Sequence, residues 1–160
     1  MVSDTVKLRL FEPGDGEAVR ELIHSTIQAC YAGVYPPRAV EFFLGYHSRA
    51  EIASRARAGY TIVAEVGGRV VATGTLKGDH ISGVFVLGPV QGRGLGRRVM
   101  EALEEHARAN GIKEIFLDVS LPSRAFYERM GYGGFEPAFI DVGQGQRLDF
   151  WKSRKSLPAK

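Results

Sequence analysis

The stretch Val86-Leu87-Gly88-Pro89-Val90-Gln91-Gly92-Arg93-Gly94-Leu95-Gly96-Arg97-Arg98 carries the densest chemistry in the sequence. It leads from a strand-like run into a helix-like run through a loop in which alternate residues are glycine. Gly92, Gly94 and Gly96 let the backbone approach a ligand closely and adopt positive φ without steric cost. The first N–H groups of the following helix have no internal acceptor, and the helix dipole adds partial positive charge there. Such a loop suits a phosphate or pyrophosphate, with Arg93, Arg97 and Arg98 at hand for charge-assisted bonds. The spacing is G-x-G-x-G. A dinucleotide fold wants G-x-G-x-x-G after the first strand of a βαβ unit, and a P-loop wants Gly-Lys-Ser/Thr. Both are absent, which disfavours a general nucleotide-binding protein.

The hydrophobic periods define the elements that must position this loop. Val6 to Leu10 alternates as a half-buried strand, and Asp15 can cap the helix after it. Val19, Leu22, Ile23, Ile27, Cys30 and Tyr31 share one helical face. A second helical region spans roughly Arg38 to Ala58, with an interruption around Leu44 to Ser48. Three strands follow in quick succession, Tyr60 to Val66, Arg69 to Leu76 and His80 to Leu87, with a Gly67-Gly68 hairpin signal between the first two. Leu95, Val99, Leu103 and Ala107 line one face of a helix, with Glu101, Glu104, Glu105 and Arg108 opposite. Ile112 to Val119 reads as a buried strand suited to a parallel partner. A short helix near Ser123 to Met130 and two strands, Phe135 to Val142 and Arg147 to Trp151, complete the order. Strands and helices are interspersed, which predicts a mixed α/β domain rather than segregated layers.

The chain has 160 residues, 44% of them apolar and 24% charged, the balance of one globular domain spanning residues 1–160. No apolar run reaches the roughly 18–20 residues of a membrane span. The start, Met1-Val2-Ser3-Asp4-Thr5, lacks the basic-then-apolar pattern of a secretory signal, and Cys30 is the only cysteine. Both features lead to the expectation of a cytoplasmic protein without an intrachain disulfide. Cys30 lies on an apolar helical face and reads as a core residue. The net charge of +3 is spread along the chain, with small basic groups at Arg93, Arg97 and Arg98 and in the tail at Lys152, Arg154 and Lys155. That pattern argues against nucleic acid. His24, His47 and His106 are scattered without zinc-ligand spacing, so no metal is expected.

Gln91, Gly94 and Gly96 fit the Gln/Arg-x-x-Gly-x-Gly/Ala signature that follows the fourth strand in the GNAT superfamily of N-acetyltransferases. Ala125-Phe126-Tyr127-Glu128-Arg129-Met130-Gly131-Tyr132 is similar to that family's aromatic-Tyr-Glu-x-x-Gly-aromatic stretch. The separation of the two motifs and the order of elements resemble the family across nearly the whole chain. The resemblance implies a GNAT-like, mostly antiparallel sheet of about seven strands flanked by about four helices. It further implies acetyl-coenzyme A as cosubstrate and direct attack by a primary amine on a small molecule or peptide. Many members pair through sheet edges or helices, so a homodimer is an expectation to test. A non-catalytic coenzyme A-binding or regulatory module of the same fold is the alternative.

By the same resemblance, the backbone of Val86 and Leu87 would pair with the pantetheine arm. Gln91, Gly92, Arg93, Gly94, Leu95, Gly96 and Arg97 would wrap the pyrophosphate. Tyr127 matches the tyrosine that protonates the departing thiolate, a role suited to a phenol. Ser120 stands where the family often has the Asn that touches the cofactor arm, and Ser123 where Ala is usual. The residue six before Val86, a carboxylate base in some members, is His80, whose imidazole suits the task. Period-two alternation places His80 on one face with Ser82, Val84 and Val86. Asp79 and Glu65 are rivals for the base. The acceptor would lie against the first two helices and the last hairpin, among Tyr31, Tyr35, Phe42, Phe43, Tyr46, Asp141 and Asp149.

Overall fold

The computed structural model describes residues 5–159. Met1 to Asp4 and Lys160 lie outside them, and with them most of the N-terminal segment that argues against a signal.

Seven strands form one sheet: β1 (Val6–Leu10), β2 (Tyr60–Val66), β3 (Arg69–Lys77), β4 (His80–Val86), β5 (Glu114–Ser120), β6 (Gly133–Gly143) and β7 (Gln146–Ser156), in the order β1-β2-β3-β4-β5-β7-β6. Every neighbouring pair is antiparallel except β4 with β5. The β2–β3 hairpin turns at Gly67 and Gly68, whose φ values of 59° and 79° suit the primed turn. Five α-helices cover the sheet: α1 (Gly16–Cys30), α2 (Pro37–Tyr46), α3 (Arg49–Ala58), α4 (Leu95–Ala109) and α5 (Arg124–Arg129).

Alternation along the strands divides the core in two. Ile62 and Ala64 join Val99, Met100 and Leu103 of α4 and Tyr127 of α5 on one face. Val63 and Phe85 join Val19, Ile23 and Ile27 of α1, with Ala39 and Ile52, on the other. Burying each such aliphatic side chain stabilises the fold by roughly 1.5–3 kcal/mol before conformational entropy is counted.

The interruption expected around Leu44 to Ser48 is a full break at the buried His47 that separates α2 from α3, with Ser48 accepting from Glu51 N–H at 3.2 Å to start α3. The structure departs from the sequence-based expectation in three places. Asp15 does not cap α1 with its side chain; its carboxylate takes two 2.8 Å bonds from Arg9 instead. Glu104 is buried, satisfied by Tyr132 Oη at 2.7 Å and Lys155 Nζ at 2.9 Å. The basic tail is part of β7, which runs five residues beyond Trp151 because its backbone pairs with β5 through Ser156. No helix among the described residues is long and apolar enough to cross a membrane.

Candidate active site

The site begins with a fault in β4. Thr73 faces Phe85 and Thr75 faces Ser82, so Gly83 and Val84 together oppose Gly74 alone. This is a β-bulge, with Gly83 at φ 64°, a conformation that costs a residue with a Cβ about 1–2 kcal/mol. Gly74, opposite the bulge, lets α4 pack closely on the sheet because it has no side chain. A Cβ there would stand 2.8 Å from Val99 Cγ1 and 2.9 Å from Leu103 Cδ1.

The bulge overturns simple alternation along β4. His80 and Ser82, paired with Lys77 and Thr75, share a face with Phe85, toward α1 and α3. Val84 and Val86 pack on the opposite face with the α4 core. His80 and Val86 therefore do not lie on one side of the sheet.

Beyond the bulge, β4 and β5 separate. Their register holds only His80 opposite Phe116, reinforced by Phe116 N–H donating to Asp79 O at 2.9 Å. Leu87 N–H donates to Val71 O at 2.8 Å, which makes Ala72–Val86 a non-hydrogen-bonded pair. The Val86 N–H and C=O consequently point away from β3, into the opening. The carbonyl is taken by Gln91 Nε2 at 2.8 Å, a bond that ties the loop to the strand. Leu87 is a correction: its N–H is spent on β3, and it does not line the opening.

On the α4 side the opening is a groove of about 440 Å³ lined by Val86, Gln91, Gly92, Gly94, Gly96 and Arg97, with α5 and the end of α1 opposite. Gly94, at φ 78°, is the left-handed residue that turns the loop into α4. Arg98 N–H is the first to find a helical acceptor, Gly94 O at 3.1 Å, so the N–H groups of Leu95, Gly96 and Arg97 have none within the helix. Gly96 is needed for contact: a Cβ would meet Phe126 at 3.0 Å. Of the three loop arginines, Arg97 lines the groove and pairs with Glu101 at 3.6 Å, whereas Arg93 and Arg98 are exposed away from it. Arg129 lines the groove too and was missed in the sequence. Arg124 is engaged elsewhere, over the Phe135 and Trp151 rings.

On the opposite face lies a larger cavity of about 680 Å³. Tyr31, Phe42, Phe43 and Tyr46 line it as expected, but Tyr35, Asp141 and Asp149 do not. The Tyr35 hydroxyl is engaged instead with Asp149 O and Leu121 N–H, at 2.8 Å each. His80 lines this cavity. Its Nδ1 is 2.8 Å from Asp79 Oδ1, and since an ionised carboxylate only accepts, Nδ1 carries the proton and Nε2 is left to accept. Asp79 is thus a support of His80. Glu65 is bound to Arg9 at 2.7 Å and lines neither space.

Tyr127 lines both spaces, together with Tyr31, Val84, Phe85 and Ser123. Burial, aided by the nearby Tyr31, holds its phenol well above the usual tyrosine range, so it stays protonated. Among the described residues none bonds to its hydroxyl. Beside it runs a row of hydroxyls, Tyr31 Oη to Ser120 Oγ at 2.9 Å and Ser120 Oγ to Ser123 Oγ at 2.7 Å. Ser120 lines the larger cavity and reaches the groove only through Ser123. Ser123 lines both.

Two further residues of the larger cavity escaped the sequence reading. His47 is buried at the α2–α3 corner, with Arg55 Nη2 donating to its Nδ1 at 3.2 Å and His24 Nε2 donating to its carbonyl at 2.9 Å. Burial first, then the Arg55 charge and His24, pulls its pKa down to about 3. Asp118 lies on the cavity face of β5. Each left a signal: a histidine in a helix break, and a lone charge inside the apolar run Ile115 to Val119.

A family model described as the acetyltransferase (GNAT) family matches residues 20–132. A glucosamine 6-phosphate N-acetyltransferase of Arabidopsis thaliana is 32% identical over 78 residues, which are 42% of this chain and 52% of that one. The match thus spans about half the length of that relative. A GCN5-related N-acetyltransferase from Rhodopseudomonas palustris superimposes with a TM-score of 0.87 at 28% identity, covering 98% of this chain and 99% of the other. The PaiA N-acetyltransferase of Thermoplasma acidophilum, solved with coenzyme A, has a TM-score of 0.76 at 16% identity over 96% of this chain and 99% of its own, which is likeness of fold.

Proposed function

The chain belongs to the GNAT acetyltransferase family and is an acyltransferase, and on that premise we propose that it transfers an acetyl group from acetyl-coenzyme A to a primary amine by direct attack. The observation that carries this reading is the meeting of two cavities where β4 and β5 separate, along a shared wall of Tyr31, Val84, Phe85, Ser123 and the protonated Tyr127. A transferase with two substrates needs two sites joined at one reacting centre.

The groove has the donor set for a diphosphate with a narrow amide-bearing arm. The N–H groups of Leu95, Gly96 and Arg97 hold the phosphates at the positive end of α4, and Arg97 with Arg129 adds charge. The outward N–H of Val86 is left for an amide carbonyl of the arm. The coenzyme A complex of the PaiA protein supports this use of the fold. When bound, the cosubstrate supplies a thioester carbonyl already activated toward amines.

The chain's own residues then manage two protons. His80 Nε2, its tautomer fixed by Asp79, takes the surplus proton of the acceptor ammonium, directly or through water. The nitrogen lone pair forms the new bond to the acyl carbon, the carbon–sulfur bond breaks, the acylated nitrogen sheds its remaining extra proton to the adjoining hydroxyls or water, and Tyr127 gives its proton to the sulfur. Tyr127 recovers a proton through the adjoining hydroxyl row or solvent. The whole chain, 1–160, acts as one catalytic unit in this reading.

The test is calorimetry with coenzyme A, followed by thiol release from acetyl-coenzyme A over a panel of primary amines. Tight binding and amine-dependent release are expected. Absence of binding overturns the reading, and binding without release for any amine reduces the protein to a coenzyme A-binding module.

A further inference from the structure

This inference rests on the proposed transfer and names the acceptor's chemical class. From the lining of the larger cavity we infer that the acceptor is a primary amine carried on an uncharged, apolar or aromatic body, and not an amine that also bears a phosphate.

The cavity's volume of about 680 Å³ falls within the roughly 300–1,000 Å³ typical of small-molecule sites. Its walls are side chains from distant parts of the chain: Phe42 and Phe43 on α2, Phe85 on β4, Ile140 on β6, Leu148 and Phe150 on β7. Tyr31 fixes this wall from α1, with its ring edge-on to Phe43 at 4.9 Å and tilted against Phe85 at 6.3 Å. Among the large apolar residues left exposed, Phe42 at 39%, Tyr46 at 50% and Ile140 at 37% all line this one space. Phe42 and Tyr46 stack at 6.3 Å and 12°, presenting a flat aromatic wall. Such a surface gains free energy when an apolar body covers it.

A phosphate would meet the opposite conditions. It needs several charge-assisted donors where water is displaced. Among the described residues lining the cavity, Lys77 is the only lysine or arginine, and it is exposed beside His80 rather than set among the rings. The Arg55 guanidinium is close by but sits behind Gly83, bonded to His47. The cationic end of an amine, by contrast, is provided for. Asp118 is the only carboxylate in the lining, on the same face as His80 and Ser82, and the rings offer π faces to an ammonium. The substrate named for the Arabidopsis relative carries a phosphate, so the chemistry of this cavity separates the two proteins.

The experiment compares thiol release with 2-phenylethylamine and with glucosamine 6-phosphate at saturating acetyl-coenzyme A, on the full chain. The expected kcat/KM ratio favours the arylalkylamine by at least about 10²-fold. Phe42→Ala, at an exposed position that leaves the fold alone, should raise the KM for 2-phenylethylamine about tenfold with coenzyme A affinity unchanged. A preference for glucosamine 6-phosphate, release with neither amine, or a Phe42→Ala variant with unaltered KM overturns the inference while leaving transfer itself standing if coenzyme A binds. Failure to bind coenzyme A overturns the transfer reading, and this inference with it.

Discussion

The groove beside α4 and the cavity beneath α1 and α2 share Tyr31, Val84, Phe85, Ser123 and Tyr127, yet the rest of their walls is made of different material. One wall of the groove is a single contiguous segment, Val86 to Arg97, with three glycines in its lining and free N–H groups at the start of α4. The cavity is side chains drawn from Tyr31 to Phe150, brought together only by the fold. Backbone donors present the same chemistry whatever side chains surround them, which suits a diphosphate that never varies. Side chains set shape and polarity, which suits the partner that distinguishes one transferase from another. The bulge at Gly83 sets which face each residue of β4 takes, putting His80, Ser82 and Phe85 on one side and Val84 and Val86 on the other.

The largest expected effect falls where the two regions join. Tyr127→Phe should lower kcat about 10²- to 10⁴-fold, the usual contribution of a general acid. Coenzyme A affinity and amine KM should hardly change, because the hydroxyl anchors no other described residue, and the melting temperature should hold for the same reason. Unchanged kcat would show that the junction is only a packing contact. A smaller effect should discriminate the regions themselves. Gly94→Ala introduces a Cβ that meets nothing within 4 Å, so its cost is the φ of 78° alone, about 1–2 kcal/mol. Coenzyme A affinity measured by calorimetry should fall roughly tenfold, with amine KM unmoved. Equal loss at both sites would mean that the groove and the cavity are not separable.

The same contrast explains what could be seen in the sequence. The loop was legible because positive-φ turns and close approaches need glycine at fixed spacing, and Gly92, Gly94 and Gly96 are contiguous enough to show it. The order of elements along the chain was legible because hydrophobic period follows burial: in α4, Leu95, Val99, Leu103 and Ala107 are all buried as their spacing requires. The faces of β4 were not, because a period-two reading assumes an unbroken ladder and Gly83 adds a residue. Asp118 and His47 were hidden for a related cause. Each is a single polar residue whose significance depends on which distant strand or helix it faces. The partner of the Ser120 hydroxyl was hidden likewise, because it is Tyr31, 89 residues away in sequence.

The smallest expected effect probes the cavity side alone, through His47. Its ring is buried and neutral, with Nδ1 accepting from the permanently charged Arg55, so a proton there would meet both a low-dielectric surround and a like charge. In the unfolded chain the imidazole titrates near 6.5, whereas in the fold it resists protonation until about pH 3. Above pH 6.5 both states are neutral and His47 contributes no pH dependence. As pH falls from there toward 3, the unfolded state gains a proton that the folded state refuses, so stability declines. At pH 5 the loss from this group is about 2 kcal/mol. Urea unfolding at pH 7.5 and pH 5 should therefore give a steeper acid loss for the parent chain than for His47→Gln, which has no titrating group at that corner. Because His47 lines the cavity and not the groove, its protonation should also loosen the α2–α3 corner, read as faster amide exchange around Tyr46 to Ser48, while the amides of α4 stay protected. Exchange that quickens equally in α4 would place the acid-sensitive contact in the shared core instead of in the wall that selects the amine.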